Sequence, residues 1–259
     1  MTTDQQPDSH TTHDADEDSR NRDIRIYVNG QIVHRDQATV SVYDSGFLLG
    51  DGMWEGMRLY QGKWAFFDDH MDRFFGACKA VSLEVGMDRA GILDALSRTA
   101  AANGMTNDVH CRLMLTRGVK VKPFQHPSLS RSGPTLVIIM EHSKPVPNLH
   151  ACNFFVVRRG EVWTSTGDYC MNGITRQKVI DLCRTNGIPV FERNFSLVDA
   201  VNADEAFLTG TFGAQTPVSM IDGKTIGGGD RPVMARIQAL YKDLIARNIM
   251  DQQASQATR

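Results

Sequence analysis

The sequence lacks the marks of several protein classes. Its five cysteines, at 78, 111, 152, 170 and 183, are an odd number with no C-x-x-C spacing. Neither a disulfide framework nor a structural zinc site is expected, and a reducing, cytoplasmic compartment is. No cluster of Asp, Glu and His has metal-ligand spacing, which argues against a metalloenzyme. No apolar run approaches the roughly 20 residues of a bilayer span. Excess charge is missing too: 28 Lys+Arg against 30 Asp+Glu leave a net −2. No field of that size steers a chain to nucleic acid or to an acidic membrane, so neither is an expected partner.

What is present is an ordinary globular composition, 41% hydrophobic and 22% charged over 259 residues. That length corresponds to about 1.7 domains. Residues 1–23 stand apart, with seven acids, two Arg and almost no apolar side chain. They cannot bury enough surface to offset ordering entropy, so a disordered acidic tail is expected there. The tail has no apolar core of a secretory signal and is too acidic for a transit peptide.

Asn29-Gly30, Gln61-Gly62, Arg159-Gly160 and Asp222-Gly223 each separate two short apolar runs, the pattern of a hairpin. Helical spacing predicts a helix after Asp68 or Asp69 as cap, and others over 88–103, 174–186 and 232–248. Strands are expected over 110–117, 135–141, 189–195 and 205–208. Residues 142–150, with two Pro and no periodicity, form the candidate linker. The reading is an α+β fold of two layered domains, 24–141 and 151–250, with a short tail from 251 to 259.

Four stretches concentrate candidate chemistry. The first runs from Asp44 to Arg58, with Gly46, Gly50, Gly52 and Gly56 in eleven residues. That is too much glycine for a strand or helix interior, and for glycine alone a surface turn would serve. Trp54, Glu55 and Arg58 in the same stretch point instead to a wall behind a ligand. The second is Gly173-Ile-Thr-Arg176 at a helix start, where free N–H groups can hold an anion. The third is Thr209-Gly-Thr-Phe-Gly213, a strand end rich in small residues, for which a plain turn is an equal reading. The fourth is Arg73, beside Phe74 and Phe75 on the first long helix, where snorkelling is the ordinary role.

Together these segments resemble the class IV aminotransferases, the fold-type-IV group of pyridoxal 5′-phosphate (PLP) enzymes. That group includes branched-chain and D-amino-acid aminotransferases. The resemblance runs through VSVYDSGFLLGDGMWEGMRLYQGKWAFFDDHMDRFF, GITRQKVIDLCRTNGIPVFERNF and ADEAFLTGTFGAQTPVSMIDGKTIG. The likeness is strongest to the branched-chain subgroup. It implies PLP as cofactor, amino acids and 2-oxo acids as ligands, and a homodimer. By matching position it implies that Arg73, Gly173, Ile174, Thr175, Gly210 and Thr211 hold the cofactor phosphate. It places Trp54, Gly56, Phe212 and Gly213 around the substrate, with the last two offering N–H groups to its carboxylate.

The resemblance also implies a lysine for the Schiff base and an acid opposite the pyridine nitrogen. The lysine would open the second domain, and the acid would stand five residues before Asn153. Here the chain passes from Glu141 through HSKPVPNLHAC to Asn153, and the fifth residue back is Asn148. A helix and two strands, about 35 to 50 residues, have no counterpart, so the second domain is expected to be shortened. The eight lysines are 63, 79, 120, 122, 144, 178, 224 and 242, and none is assigned the catalytic role. Three functional readings follow: a transaminase with a recruited lysine, a shortened and impaired form, or a non-enzymatic PLP- or metabolite-binding dimer. Amino-chorismate lyase chemistry is a further alternative on the same fold.

Overall fold

The computed structural model describes residues 18–143 and 153–257. The first layer opens with the hairpin β1 (Arg25–Val28) and β2 (Gln31–His34), turning at Asn29-Gly30. The short helix α1 (Ser45–Leu49) leads into β3 (Gly52–Tyr60) and β4 (Lys63–Trp64). Helices α2 (Phe67–Ala80) and α3 (Arg89–Ala102) follow, then β5 (Val109–Thr116) and β6 (Thr135–His142). The six strands form an antiparallel sheet in the order β2-β1-β6-β5-β3-β4. Its inner face (Met57, Leu59, Val109, Cys111, Leu113) buries against Met71, Phe74, Ile92 and Leu96 of the two long helices. Period-two alternation leaves Trp54, Gly56, Arg58, His110 and Arg112 on the opposite face.

The second layer contains β7 (Asn153–Arg158), β8 (Glu161–Thr164), α4 (Ile174–Thr185), β9 (Val190–Glu192) and α5 (Leu197–Val201). It continues through β10 (Glu205–Gly210), β11 (Ala214–Pro217), the small hairpin β12 (Met220–Ile221) and β13 (Lys224–Thr225), and α6 (Pro232–Ala257). The five-stranded sheet runs β11-β10-β7-β8-β9, with β8 and β9 parallel. Phe155 and Phe207 stack at 4.9 Å in a core closed by Val179, Ile180 and Ile237 of α4 and α6. The two layers meet where Ala65 and Phe66 pack on Leu182 and Tyr241.

The structure redraws several expectations. The glycine-rich segment holds a strand after all. A Cβ on Gly52 would sit 2.6 Å from the Leu115 carbonyl oxygen, so glycine there serves a close strand crossing. Helix α2 is not capped by Asp68 or Asp69. It starts one residue after Phe66, whose positive φ of 54° is held by a hydrogen bond from its N–H to Asn248 Oδ1 at 3.0 Å. The two acids occupy the first helical turn, where the dipole favours them. Helix α6 does not stop at Asn248 and runs through the expected 251–259 tail as far as Ala257. Asn248 and Gln252 direct their amides to the Phe66 N–H and the Trp64 carbonyl rather than to a cap.

At the other end, Ser19–Asn21 form a turn capped by Asp18, so order begins inside the expected acidic tail. The rest of that tail, 1–17, lies outside the described residues, as do 144–152 of the expected linker and junction. His142, assigned to the linker from sequence, closes β6. The strand expected over 189–195 contracts to Val190–Glu192. Replacing Phe207 by Ala removes one half of the stacked core pair and is expected to cost about 3–5 kcal/mol, checked by the urea midpoint of unfolding.

Candidate functional site

A small cavity lies where the layers meet. Strand β3 supplies Arg58 and Tyr60, and α2 supplies His70. The start of α4 brings Ile174 and Thr175, the β10–β11 loop brings Thr211 and Phe212, and α6 brings Tyr241 and Ile245. The structure therefore gathers Ile174, Thr175, Thr211 and Phe212 from the sequence-derived set. Gly173 is the N-cap of α4 and makes no side-chain cap bond, which leaves the first N–H groups of that helix open. A Cβ on Gly173 would meet Asn153 Oδ1 at 2.2 Å, so only glycine fits beneath that amide. Gly210 ends β10 and pairs with Ala214, which makes Thr211-Phe212-Gly213 the tip of a tight hairpin.

The remaining residues stand elsewhere. Trp54 is 61% exposed, and Arg112 lies over its ring at 4.7 Å. Neither Trp54 nor Gly56 lines the cavity, although both share the outer sheet face with Arg58. Arg73 also stands off it. Its Nε donates to Glu55 Oε2 at 3.0 Å, a terminal nitrogen bonds Glu55 Oε1, and another reaches the Asn172 carbonyl. Glu55 is buried and is bonded by His70 Nδ1 at 3.0 Å as well. Burial pushes the Glu55 carboxyl up, and the His70 and Arg73 hydrogen bonds overcome it and hold it below the usual carboxylate range.

Sequence reasoning gave Arg58 no role, yet its charge is the least compensated in the site. Its side chain is 2% accessible, and Nε and both terminal nitrogens have no hydrogen-bond partner among the described residues. Its guanidinium lies 5.7 Å from the ring centroids of Tyr60 and Phe212. Directly across the ladder stands His110, whose Nδ1 is also unpartnered and whose ring meets Phe212 edge-on at 4.7 Å. Burial, then the charges of Arg58 and Arg112, push His110 down to about 4. A buried cation facing a neutral ring, with its N–H donors unpaired, is an oxyanion site in waiting. The alternation Trp54, Gly56, Arg58 could have signalled this face. The cross-strand His110 and the helical Tyr241 had no local signal.

The PLP expected from the resemblance can be tested against this geometry. The cavity measures about 30 Å³, room for a water or two. Tyr241, Phe66 and Ile245 fill the space beside the donors, and no lysine or carboxylate lines it. A larger open cleft of about 570 Å³ adjoins it and includes Arg73, Arg176 and Lys178. Each of those cations already has a carboxylate: Glu55, Glu192 at 2.9 Å and Asp69 at 3.1 Å respectively. Lys144 lies outside the described residues. The small cavity has no room for the ring of PLP. Among the described residues no His, Cys, Asp and Glu group could hold a metal.

Comparisons with known proteins agree on one family. A model described as amino-transferase class IV matches residues 52–151 and 129–221. The chain is 33% identical to branched-chain-amino-acid aminotransferase-like protein 2 of Arabidopsis thaliana over 283 positions, covering 86% of this chain and 51% of that protein. The chain thus spans about half the length of that relative. It is 28% identical to the D-alanine aminotransferase of Listeria monocytogenes, covering 86% of this chain and 97% of that one. In structure it superposes on the branched-chain aminotransferase of Escherichia coli with a TM-score of 0.77 at 21% identity, over 86% of this chain and 95% of that one. The branched-chain aminotransferase of Thermobaculum terrenum, solved in its PLP form, gives 0.70 at 18% identity, over 88% and 95%. The α+β fold expected from sequence is the fold-type-IV aminotransferase fold.

The depressed His110 has a pH consequence. Between about pH 6.5 and 4 the unfolded chain binds a proton there that the folded chain refuses. Stability therefore falls as pH drops through that window, by ~3 kcal/mol in all. In His110→Phe this loss should vanish, and denaturant titrations of both proteins at pH 7, 5.5 and 4 check it.

Proposed function

Because the chain belongs to the class IV aminotransferases, a PLP-dependent family, we propose that its site is a shortened, catalytically impaired form of a branched-chain-type amino-acid transaminase site. Its ligands are amino acids and 2-oxo acids, gripped by their carboxylate. The observation that carries this is Arg58, a buried guanidinium whose nitrogens have no hydrogen-bond partner among the described residues, beside the Thr211-Phe212 tip. A carboxylate bonded there would satisfy donors that otherwise cost desolvation energy. The cavity itself admits only the carboxylate end, and the rest of such a ligand would lie in the adjoining cleft.

The shortened form rests on order along the chain. The amine and the ring-nitrogen acid that the transfer needs have no counterpart between Glu141 and Asn153. Two further observations support an internal gap. The family match falls into two pieces, and an alignment of 283 positions takes up only 86% of a 259-residue chain. A homodimer belongs to the same reading. Val42, Phe47, Val121 and Phe124 stand exposed near the bridge between Asp44 and Val119, a patch suited to a second copy. So does a cytoplasmic setting, with Cys78, Cys111, Cys170 and Cys183 all unpaired. Among the described residues no helix is long and apolar enough to cross a membrane.

Calorimetric titration of the full chain with 4-methyl-2-oxopentanoate tests the carboxylate reading. Arg58→Met is expected to weaken binding about 10- to 100-fold, with Arg58→Lys intermediate. Unchanged affinity in Arg58→Met rejects it. Incubation of Leu, Ile or Val with 2-oxoglutarate and PLP is expected to give no turnover above background, and steady transamination rejects the shortened form.

A further inference from the structure

The small cavity keeps donors for an anion yet has no room for an aromatic ring, and the residue that fills it can be named. Tyr241 and Ile245 are one turn apart on α6, and both line the cavity opposite Ala65 and Phe66. The Tyr241 ring meets Phe66 at 6.1 Å between centroids and is 6% exposed. Its hydroxyl is buried in the cavity that Thr175 also lines, and burial pushes the phenol up to about 12, so it stays protonated. Thr175 belongs to the group the resemblance assigned to a phosphate, and Arg73, of the same group, is held by Glu55. The helix that carries Tyr241 is held against the first layer from both sides of the contact. Asn248 accepts from the Phe66 N–H, and Gln252 donates to the Trp64 carbonyl at 3.0 Å.

We infer that Tyr241 is a plug that excludes the PLP ring and restricts this cavity to a small oxyanion, a carboxylate or inorganic phosphate, at Arg58. The oxyanion half rests on the carboxylate reading above. The exclusion rests on Tyr241 and α6. The plug acts by volume, because its ring occupies space next to the first turn of α4. Ile245 backs it from the same helix face.

The test uses the full chain and equilibrium dialysis against PLP, pyridoxine 5′-phosphate and inorganic phosphate, with circular dichroism to confirm folding. Wild type is expected to bind PLP no more than about threefold tighter than inorganic phosphate, and borohydride to fix it to no single lysine. Tyr241→Ala should tighten PLP and pyridoxine 5′-phosphate alike by roughly tenfold or more. Ile245→Ala, at a partly exposed position, should tighten both in the same direction if Tyr241→Ala does not fold. Wild type that retains PLP far more tightly than inorganic phosphate, or that is reduced onto one lysine, overturns the inference. A folded variant with unchanged PLP affinity does so too. Failure of the carboxylate reading shows separately, as a 2-oxo acid affinity indifferent to Arg58→Met while the Tyr241 comparison holds.

Discussion

The arrangement of the site follows from the two-residue period of β3. Glu55 and Arg58 are three apart on one strand and so project from opposite faces. Glu55 turns toward α2, where His70 and Arg73 meet it, and that buried ionic cluster fixes the helix against the sheet. Arg58 turns away, toward the second layer, where its guanidinium lies over the Tyr60 and Phe212 rings and has no hydrogen-bond partner among the described residues. One strand thus holds a cation whose charge is answered and orients another whose charge is not. The cavity exists where the unanswered one is brought against α4, the β10–β11 tip and α6.

Much of this was legible in sequence because it is written locally. The hairpins at Asn29-Gly30, Arg159-Gly160 and Asp222-Gly223 formed where positive φ was needed. Asp88 caps α3, and Ser196 with Asp199 forms a capping box. The errors came where a residue answered to a distant partner. Asp68 looked like a cap, but the α2 boundary is set by Asn248, 182 residues away. The glycines of residues 46–56 looked too frequent for a strand interior, yet Gly52 and Gly56 lie in β3, where a neighbouring strand presses on Gly52. The Arg73 assignment is of another kind: it came from resemblance, and the structure adds Glu55 as its carboxylate partner.

The family likeness and the local physics answer different questions. Likeness assigns the fold over 86% of the chain. It says nothing of how α6 settles against the first layer. Tyr241 is an ordinary member of a helical pattern, and its importance comes only from the wall it reaches. Specificity in this protein is therefore a matter of packing between layers as much as of the donors that a motif preserves.

The Asn21 side chain gives the N-terminal turn an unexpected part in this. Its amide accepts from the His142 N–H at 2.8 Å and donates to the His142 carbonyl at 2.9 Å, in the manner of one more strand residue. It thereby latches the last residue of β6, the point from which the chain leaves the first layer for the second. The Ser19–Asn21 turn and the end of β6 are mechanically one unit: to loosen the first is to unfasten the second.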